Sequence, residues 1–551
     1  MTKIKVSLCQ LNFHVGNLDY NFKLIKSYRD KSALNNVDLC IFSELCITGY
    51  PPEDLVLRPS FIDATQSYIN KLIELSIDGG PAILVGYPRF SDSKLMNSAA
   101  LIDNGITTIV DKHHLPNYGV FDEVRVFNTG RVSGPVVFKG IRIGIMICED
   151  MWHKDVTETL IESGAQVLIV INGSPYDQNK EDERLSVAVS RVLESELPLI
   201  YVNQVGGQDE LVFDGGSFVL NSNSKLHVQC SNWKEETCVV DLELNQDKIK
   251  VLTNNLKAQS MGRESDYKAM VIGLRDYVIK NQFNGVILGL SGGIDSALAA
   301  AIATDALGSK KVRGIRMPSK YSSQGSLDDA KETSTLLGIK MDTINIDNLN
   351  NSFLKELTPL FNSLKSDTTE ENIQSRIRGV LLMALSNKFG NMVLSTGNKS
   401  EISVGYTTIY GDMNGGFTVL KDAYKTDVYN LARWRNKNFS DFFMGPKGIC
   451  IPVNSINKEP SAELNIDQKD QDNLPPYDVL DDILQRIIEK EDSIINIVKS
   501  GYDEKLVKRI YKLLLMSEYK RRQSAPGVKL TARSFGKERR YPITNAFTDD
   551  E

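Results

Sequence analysis

Short apolar runs separated by turns dominate the first half of the chain. Residues 4–8, 39–42, 82–85, 141–147, 166–171 and 199–202 are such runs. Several of them do not alternate with polar positions, which marks strands buried on both faces. Between them, residues 21–31 and 181–196 place apolar side chains at helical spacing. The pattern predicts an α/β unit with many strands. A polar stretch without clear period, 252–265, reads as a linker. Beyond it come a predicted helix over 267–280, a strand over 285–290, a glycine turn and a helix over 295–307. That order opens a doubly wound parallel sheet of the nucleotide-binding kind. Residues 454–476 are rich in Pro, Asp, Asn and Gln and read as loop, and the stretch 518–540 is basic. The predicted domains are 1–260 and 261–551, both α/β.

At 551 residues the chain exceeds what one hydrophobic core normally supports. Apolar residues make up 41% and charged residues 24%, an ordinary globular balance. No apolar run reaches the roughly 18 residues of a membrane span. The strand-like pattern starts at the N-terminus and leaves no room for a signal peptide, so a cytoplasmic enzyme with no membrane partner is expected. A net charge of −6 speaks against non-specific nucleic-acid binding. The seven cysteines are scattered, odd in number and without CxxC spacing. They indicate neither a disulfide framework nor a zinc site, and most are expected to be packing residues.

Three stretches in the first half carry chemistry. Phe42-Ser43-Glu44-Leu45 puts a carboxylate where an apolar strand ends. Lys112-His113-His114-Leu115-Pro116-Asn117-Tyr118-Gly119-Val120-Phe121-Asp122-Glu123 starts with a lysine. Ile145-Met146-Ile147-Cys148-Glu149-Asp150-Met151-Trp152 puts a thiol at the end of a long apolar strand. Catalytic groups favour strand ends and the loops after them. Amide hydrolysis through a thioester needs a nucleophile, a base and an oxyanion partner. Cys148 is the candidate nucleophile, Glu44 the base, and the Lys112 ammonium the group that stabilises the oxyanion and favours the thiolate.

Glu, Lys and Cys in this order, each within its own longer signature, resemble the nitrilase superfamily over residues 3–250. The resemblance implies an αββα sandwich that often pairs with itself. The stretches 112–123 and 203–215 are similar to the glutaminase domain of glutamine-dependent NAD synthetases. This implies that Tyr118, Ser174 and Lys180 contact glutamine. Gly173 stands where the family more often has a larger residue, and Lys180 where some relatives have Arg.

In the second half, Gly289-Leu290-Ser291-Gly292-Gly293-Ile294-Asp295-Ser296 follows a strand and opens an Ala-rich helix. Two glycines let the backbone approach an anion, and hydroxyls with freed helix amides then point at phosphate. No Gly-Lys-Ser/Thr follows, so this is not a Walker loop. It resembles the ATP pyrophosphatase loop shared by several synthetases, which splits ATP into AMP and pyrophosphate. Asp295 is the candidate ligand for Mg2+ on the triphosphate. The stretches 371–379, 394–401, 405–412, 421–426 and 460–464 resemble the NAD synthetase core, so the likeness runs over 263–547. It implies ATP contacts from Thr396, Lys425 and Ser461, and Glu401 beside Asp295 at magnesium. It also implies deamido-NAD contacts from Asn372, Arg376, Glu401 and Lys529. Ile409 and Val528 depart from the ammonia-only relatives, which tend to carry Lys and His there.

The expected reaction takes glutamine, water, ATP and deamido-NAD to glutamate, NAD, AMP and pyrophosphate. Alternatives are amidation of another carboxylate, and a nitrilase-type hydrolase whose second half only senses nucleotide.

Overall fold

The apolar runs of the first half become two stacked seven-stranded sheets. The computed structural model describes residues 2–178, 180–362, 364–465 and 468–547, with the backbone alone at 181. The chain divides into two compact units, Met1–Met261 and Gly262–Glu551.

In the first unit one sheet runs in the order Lys248–Val251, Glu236–Asn245, Thr2–Gln10, Leu39–Ile41, Ala82–Ser91, Lys94–Asp103, Ile106–Asp111. The other runs Asn255–Leu256, Leu226–Gln229, Phe218–Leu220, Leu199–Asn203, Val167–Asn172, Ile141–Ile147, Val136–Phe138. The period-two alternation of a strand decides which side chains meet between the sheets. Ile4, Val6 and Leu8 from one sheet join Ile143, Ile145, Ile147, Ile169 and Val202 from the other in a single buried cluster. The opposite faces are apolar too. Cys40, Ile83 and Val85 pack with Ile25, Ile69 and Leu72 of the helices Leu18–Ala33 and Pro59–Leu75. Met146, Leu168 and Val170 pack with Val156, Leu160, Ala188 and Val192 of Lys154–Glu162 and Lys180–Ser195. The result is the expected αββα sandwich, and both-face burial explains why these strands are continuously apolar.

The second unit is built on a parallel sheet in the order Lys340–Thr343, Val312–Arg316, Val286–Gly289, Met392–Ser395, Phe417–Thr418. The first strand in sequence, Val286–Gly289, sits centrally, with later strands added on both sides. Such a point opens a crevice at the carboxyl ends of the strands. Every residue of the helix Ile294–Leu307 except Asp295 is buried, which its alanines permit by letting neighbours approach closely.

Three sequence expectations change. The stretch 252–265 contains the short strand Asn255–Leu256, and the helix predicted over 267–280 already starts at Arg263. Its polar first turn hid it: Glu264 and Asp266 suit a helix N-terminus but break the apolar period. The predicted loop 454–476 holds the helix Val453–Asn457 and a turn at Asp470–Asp472. The basic stretch 518–540, whose composition suggests a free cationic surface, spends much of its charge internally. Glu518 pairs with Arg521 at 2.8 Å, Arg522 at 3.2 Å and Arg539 at 2.7 Å, and Lys520 donates to the carbonyls of Gly405 and Thr407.

Candidate active sites

In the first unit three loop ends converge on a buried ion network. Lys112 Nζ lies 2.7 Å from Glu44 Oε1 and 2.8 Å from Glu123 Oε2. Glu44 also accepts from Asn97 Nδ2 at 2.8 Å and from the Gly173 amide at 3.0 Å. The Tyr50 hydroxyl donates to Glu123 Oε1 at 3.0 Å. Burial alone would strip the proton from Lys112, but Glu123 and Glu44 hold its pKa well above the ordinary value. Burial, with Glu44 adding and Lys112 opposing, pushes the Cys148 thiol well up. Lys112 does pull toward the thiolate, as expected, but burial and the carboxylates outweigh it in the resting site. Lys112 is already neutralised by two carboxylates, so its pull on the sulfur loses to desolvation. Cys148 itself has φ +49°, a conformation that costs a non-glycine residue about 1 kcal/mol and turns the side chain out of the strand end.

Around this centre lie the three residues expected to hold glutamine. The Tyr118 hydroxyl donates to Glu149 Oε2 at 2.9 Å, beside Cys148. Lys180 Nζ sits over the rings of Phe121 and Trp152 at 5.5 and 5.7 Å. Ser174 is buried, with Oγ accepting from Arg184 Nε at 3.0 Å. Arg184 grips Asp214 through NH1 at 2.8 and 3.0 Å and donates to the Ser174 and Pro175 carbonyls. Gly173 also has a local reason: a Cβ there would come within 2.8 Å of the Tyr50 ring. The aromatic ring fills the space that a side chain at 173 would need. Sequence reasoning missed Glu123, Tyr50, Asn97 and Arg184. Only Glu123 carried a signal, as the last residue of the stretch starting at Lys112.

The second unit presents a cavity of about 310 Å³ at the strand ends. Gly289, Leu290, Ser291, Gly293, Ile294, Asp295, Ser296, Thr396, Glu401, Lys425 and Ser461 all line it. Gly292 stands just behind, at φ +83°, where a Cβ would meet the Ser326 carbonyl at 2.2 Å. The loop is cross-tied: Ser291 Oγ lies 3.1 Å from Ser296 Oγ and accepts from the Gly293 amide at 3.2 Å. Below it Lys425 Nζ bridges Asp295 Oδ2 at 2.5 Å and Glu401 Oε1 at 3.0 Å, and Asn398 Nδ2 donates to Asp295 Oδ1 at 2.8 Å. Burial, opposed by Lys425 and reinforced by Asp295, raises the Glu401 carboxyl to about 8.

The expected dinucleotide contacts divide. Glu401 lines the cavity, whereas Asn372, Arg376 and Lys529 do not. Asn372 accepts from the Thr408 hydroxyl at 2.7 Å, Arg376 Nε donates to the Ile409 carbonyl at 3.3 Å, and Lys529 is buried near Glu538. Arg378, which the sequence reading passed over, does line the cavity, and burial lowers its pKa to about 10. The helix Thr368–Phe389 carries both arginines. Residues two positions apart on a helix are turned by about 200°, so one faces the cavity and the other does not. Of the basic stretch 518–540, Ser524 lines the cavity.

The first unit has a carbon-nitrogen hydrolase match over residues 5–247, and the second an NAD synthase match over residues 266–524. The chain thus joins a carbon-nitrogen hydrolase unit to an NAD synthase unit. It is 46% identical to a glutamine-dependent NAD(+) synthetase of Rhodobacter capsulatus, covering 99% of each chain. It is 42% identical to that of Acinetobacter baylyi, covering 100% of each. A solved glutamine-dependent NAD+ synthetase from Acinetobacter baumannii, in complex with ADP, superposes with a TM-score of 0.78 at 40% identity, covering 100% of each chain. The chain belongs to the glutamine-dependent NAD(+) synthetase family. Among the described residues no helix is long and apolar enough to cross a membrane.

Proposed function

We propose that the chain is an amide-forming ligase that hydrolyses glutamine in its first unit and amidates deamido-NAD with ATP in its second. What carries the reading is the pairing, on one chain matched end to end by those relatives, of a thiol beside a lysine–glutamate network with an ATP pyrophosphatase-like loop.

In the first unit Tyr118, Ser174 and Lys180 hold glutamine. Cys148 starts as a thiol, so Glu44 takes its proton as sulfur attacks the amide carbon. The Lys112 ammonium, held between Glu44 and Glu123, faces the oxyanion. The proton goes to departing ammonia, and Glu44 then activates the water that releases glutamate.

In the second unit the nicotinic acid carboxylate displaces pyrophosphate from the α-phosphorus of ATP. Ammonia attacks the resulting mixed anhydride and AMP leaves. Ser291, Gly292, Gly293 and Ser296 cradle pyrophosphate, with Gly289, Leu290, Ile294, Thr396, Lys425 and Ser461 around ATP. Asp295 and Glu401 are hard oxygen donors facing the cavity, the donor set that Mg2+ takes. They would hold the ion, which when bound neutralises triphosphate charge. Asn372, Arg376 and Lys529 stay in the proposal as groups that reach deamido-NAD beyond the cavity wall, with Arg378 inside it. A cytoplasmic homo-oligomer completes the reading, and seven free cysteines suit a reducing compartment.

The test is product analysis with deamido-NAD, ATP and either glutamine or ammonium. NAD, AMP and pyrophosphate should form in equal amounts with both donors, and glutamate only with glutamine. Amidation of another carboxylate in place of deamido-NAD, or amide hydrolysis without AMP release, would sink the reading.

A further inference from the structure

Three of the chain's five histidines gather at one spot on the first unit, outside the glutamine chemistry. His113 and His114 directly follow Lys112. The ring of His114 stacks on His153 with centroids 3.8 Å apart and meets His113 edge-on at 4.6 Å. Asp155, in the first turn of the helix Lys154–Glu162, faces both members of the pair. His114 Nε2 lies 2.8 Å from Asp155 Oδ1 and His113 Nε2 lies 3.8 Å from Asp155 Oδ2. The ligand atoms of these three residues all fall within 4.8 Å of one another.

We propose that His113, His114 and Asp155 form a site for a zinc-type divalent transition-metal ion.

The nitrogen tautomer supports it. His113 Nδ1 lies 2.7 Å from the Gly130 carbonyl, which can only accept, so Nδ1 carries the proton. In the neutral ring the lone pair is then on Nε2, the atom turned toward Asp155. A backbone carbonyl on one ring nitrogen is the usual outer support of a histidine that ligates a metal through the other. A simple hydrogen bond accounts for His114 and Asp155. His113 Nε2, 3.8 Å from Asp155 Oδ2, lies beyond hydrogen-bond reach, at a spacing that a bridging ion would fill.

The site is also pre-organised and reachable. The amides of His113 and His114 donate to Asp150 Oδ1 at 3.0 and 2.8 Å, which fixes the backbone of the pair. The side chains of His113, His114 and Asp155 are 28%, 23% and 54% exposed, so an ion can enter from solvent. Two imidazoles and one carboxylate suit zinc, with water in the fourth position, and do not suit the oxygen-seeking Mg2+ or Ca2+. The same Asp150 accepts from the Ile147 amide at 3.1 Å, next to Cys148. An ion here would therefore clip the segment after Lys112 to the helix that follows the Cys148 turn. It would stiffen the frame of the first active site without entering its chemistry.

The test uses the full-length Cys148→Ala chain, which removes the active-site thiol as a competing zinc ligand. Equilibrium dialysis against Zn2+ should give one saturable ion per chain, with no competition from Mg2+. Adding His114→Gln or Asp155→Asn should weaken binding by about a hundredfold. Zinc should raise the unfolding midpoint of the Cys148→Ala chain and leave that of the Asp155→Asn form unmoved. Asp155 is exposed and His114 half-buried, and matching circular dichroism will show that the variants fold. No saturable zinc overturns the proposal. So does zinc that both substitutions leave in place; its loss in Cys238→Ser would then assign it to the buried cluster of Cys230, Glu236 and Cys238.

Discussion

Each candidate site holds a lysine between two carboxylates, and these two triads differ in how far they are closed. In the first, Lys112 and Glu44 are fully buried and Glu123 nearly so. In the second, Lys425 is buried, but Asp295 and Glu401 keep 18% and 17% of their side-chain surface open to the cavity. With both carboxylates ionised each triad carries a net negative charge in low dielectric, and in each one carboxyl answers by rising: Glu123 to about 7 and Glu401 to about 8, burial being the largest cause in both. Closure suits a proton relay around one thiol, where geometry must not change. Openness suits a site that exchanges a bulky polyanion and its counter-ion, where the ammonium holds the carboxylates apart between turnovers.

The largest effect should come from separating the two centres. Cys148→Ala should lower glutamine-driven synthesis by at least about a thousandfold and leave ammonium-driven synthesis intact. Measured rates with the two donors check it; loss of both in a folded chain would show that the centres are not independent.

The lysines then test closure directly. Lys112→Met orphans two buried carboxylates and should cost about 3–5 kcal/mol in urea unfolding. Lys425→Met, whose partners reach solvent, should cost roughly half of that. Each should cut only its own half-reaction, by about a thousandfold. Equal stability losses would erase the contrast.

How the chain was legible follows the same divide. The strand Ile141–Ile147 is apolar but for Arg142 and ends at a chemically distinct residue, so the pattern gives its bounds, and Glu44 and Cys148 stand out as polar groups at strand ends. Glu123 could not be placed that way. Its partners Tyr50 and Lys112 lie 73 and 11 residues away, and nothing in spacing says that three loops meet. The strength of the pull of Lys112 on the thiol was not legible for a related reason: a lysine in sequence shows its charge but not the carboxylates that offset it. In the second unit the glycine loop was plain, because its residues act through backbone shape. Arg376 and Arg378 were not separable, since helix phase relative to the cavity is a property of packing.

Those two arginines make a third, smaller test. Arg378→Ala should raise the KM for ATP or deamido-NAD by about tenfold to a hundredfold, and Arg376→Ala, which meets deamido-NAD only beyond the cavity wall, by about threefold to tenfold. Steady-state kinetics with ammonium as donor isolates the second unit. A larger effect from Arg376 than from Arg378 would put the main hold on the dinucleotide outside the cavity.

The smallest effect concerns the proton stored in the closed triad. Glu123 is raised from 4.5 to about 7 in the folded chain, first by burial and further by Glu44, with Lys112 opposing. A carboxyl raised on folding contributes stability that is fully present below its unfolded pKa and is lost as pH rises through the folded value. Between about pH 4.5 and 7 the unfolded chain releases this proton first, so unfolding gains ground by about 1–3 kcal/mol. Glu123→Gln keeps the shape, cannot titrate and leaves Lys112 its pair with Glu44. Its stability should therefore fall less steeply over that window than the parent's, and its disadvantage, if any, should shrink as pH rises to about 8. Trp152 and Trp233 lie in the first unit and Trp434 in the second, so urea midpoints read from variants that keep only the first two report the right unit. Parallel pH profiles for parent and Glu123→Gln would mean that the stored proton sits elsewhere in the triad. The two triads would then differ not only in closure but in which member gives way.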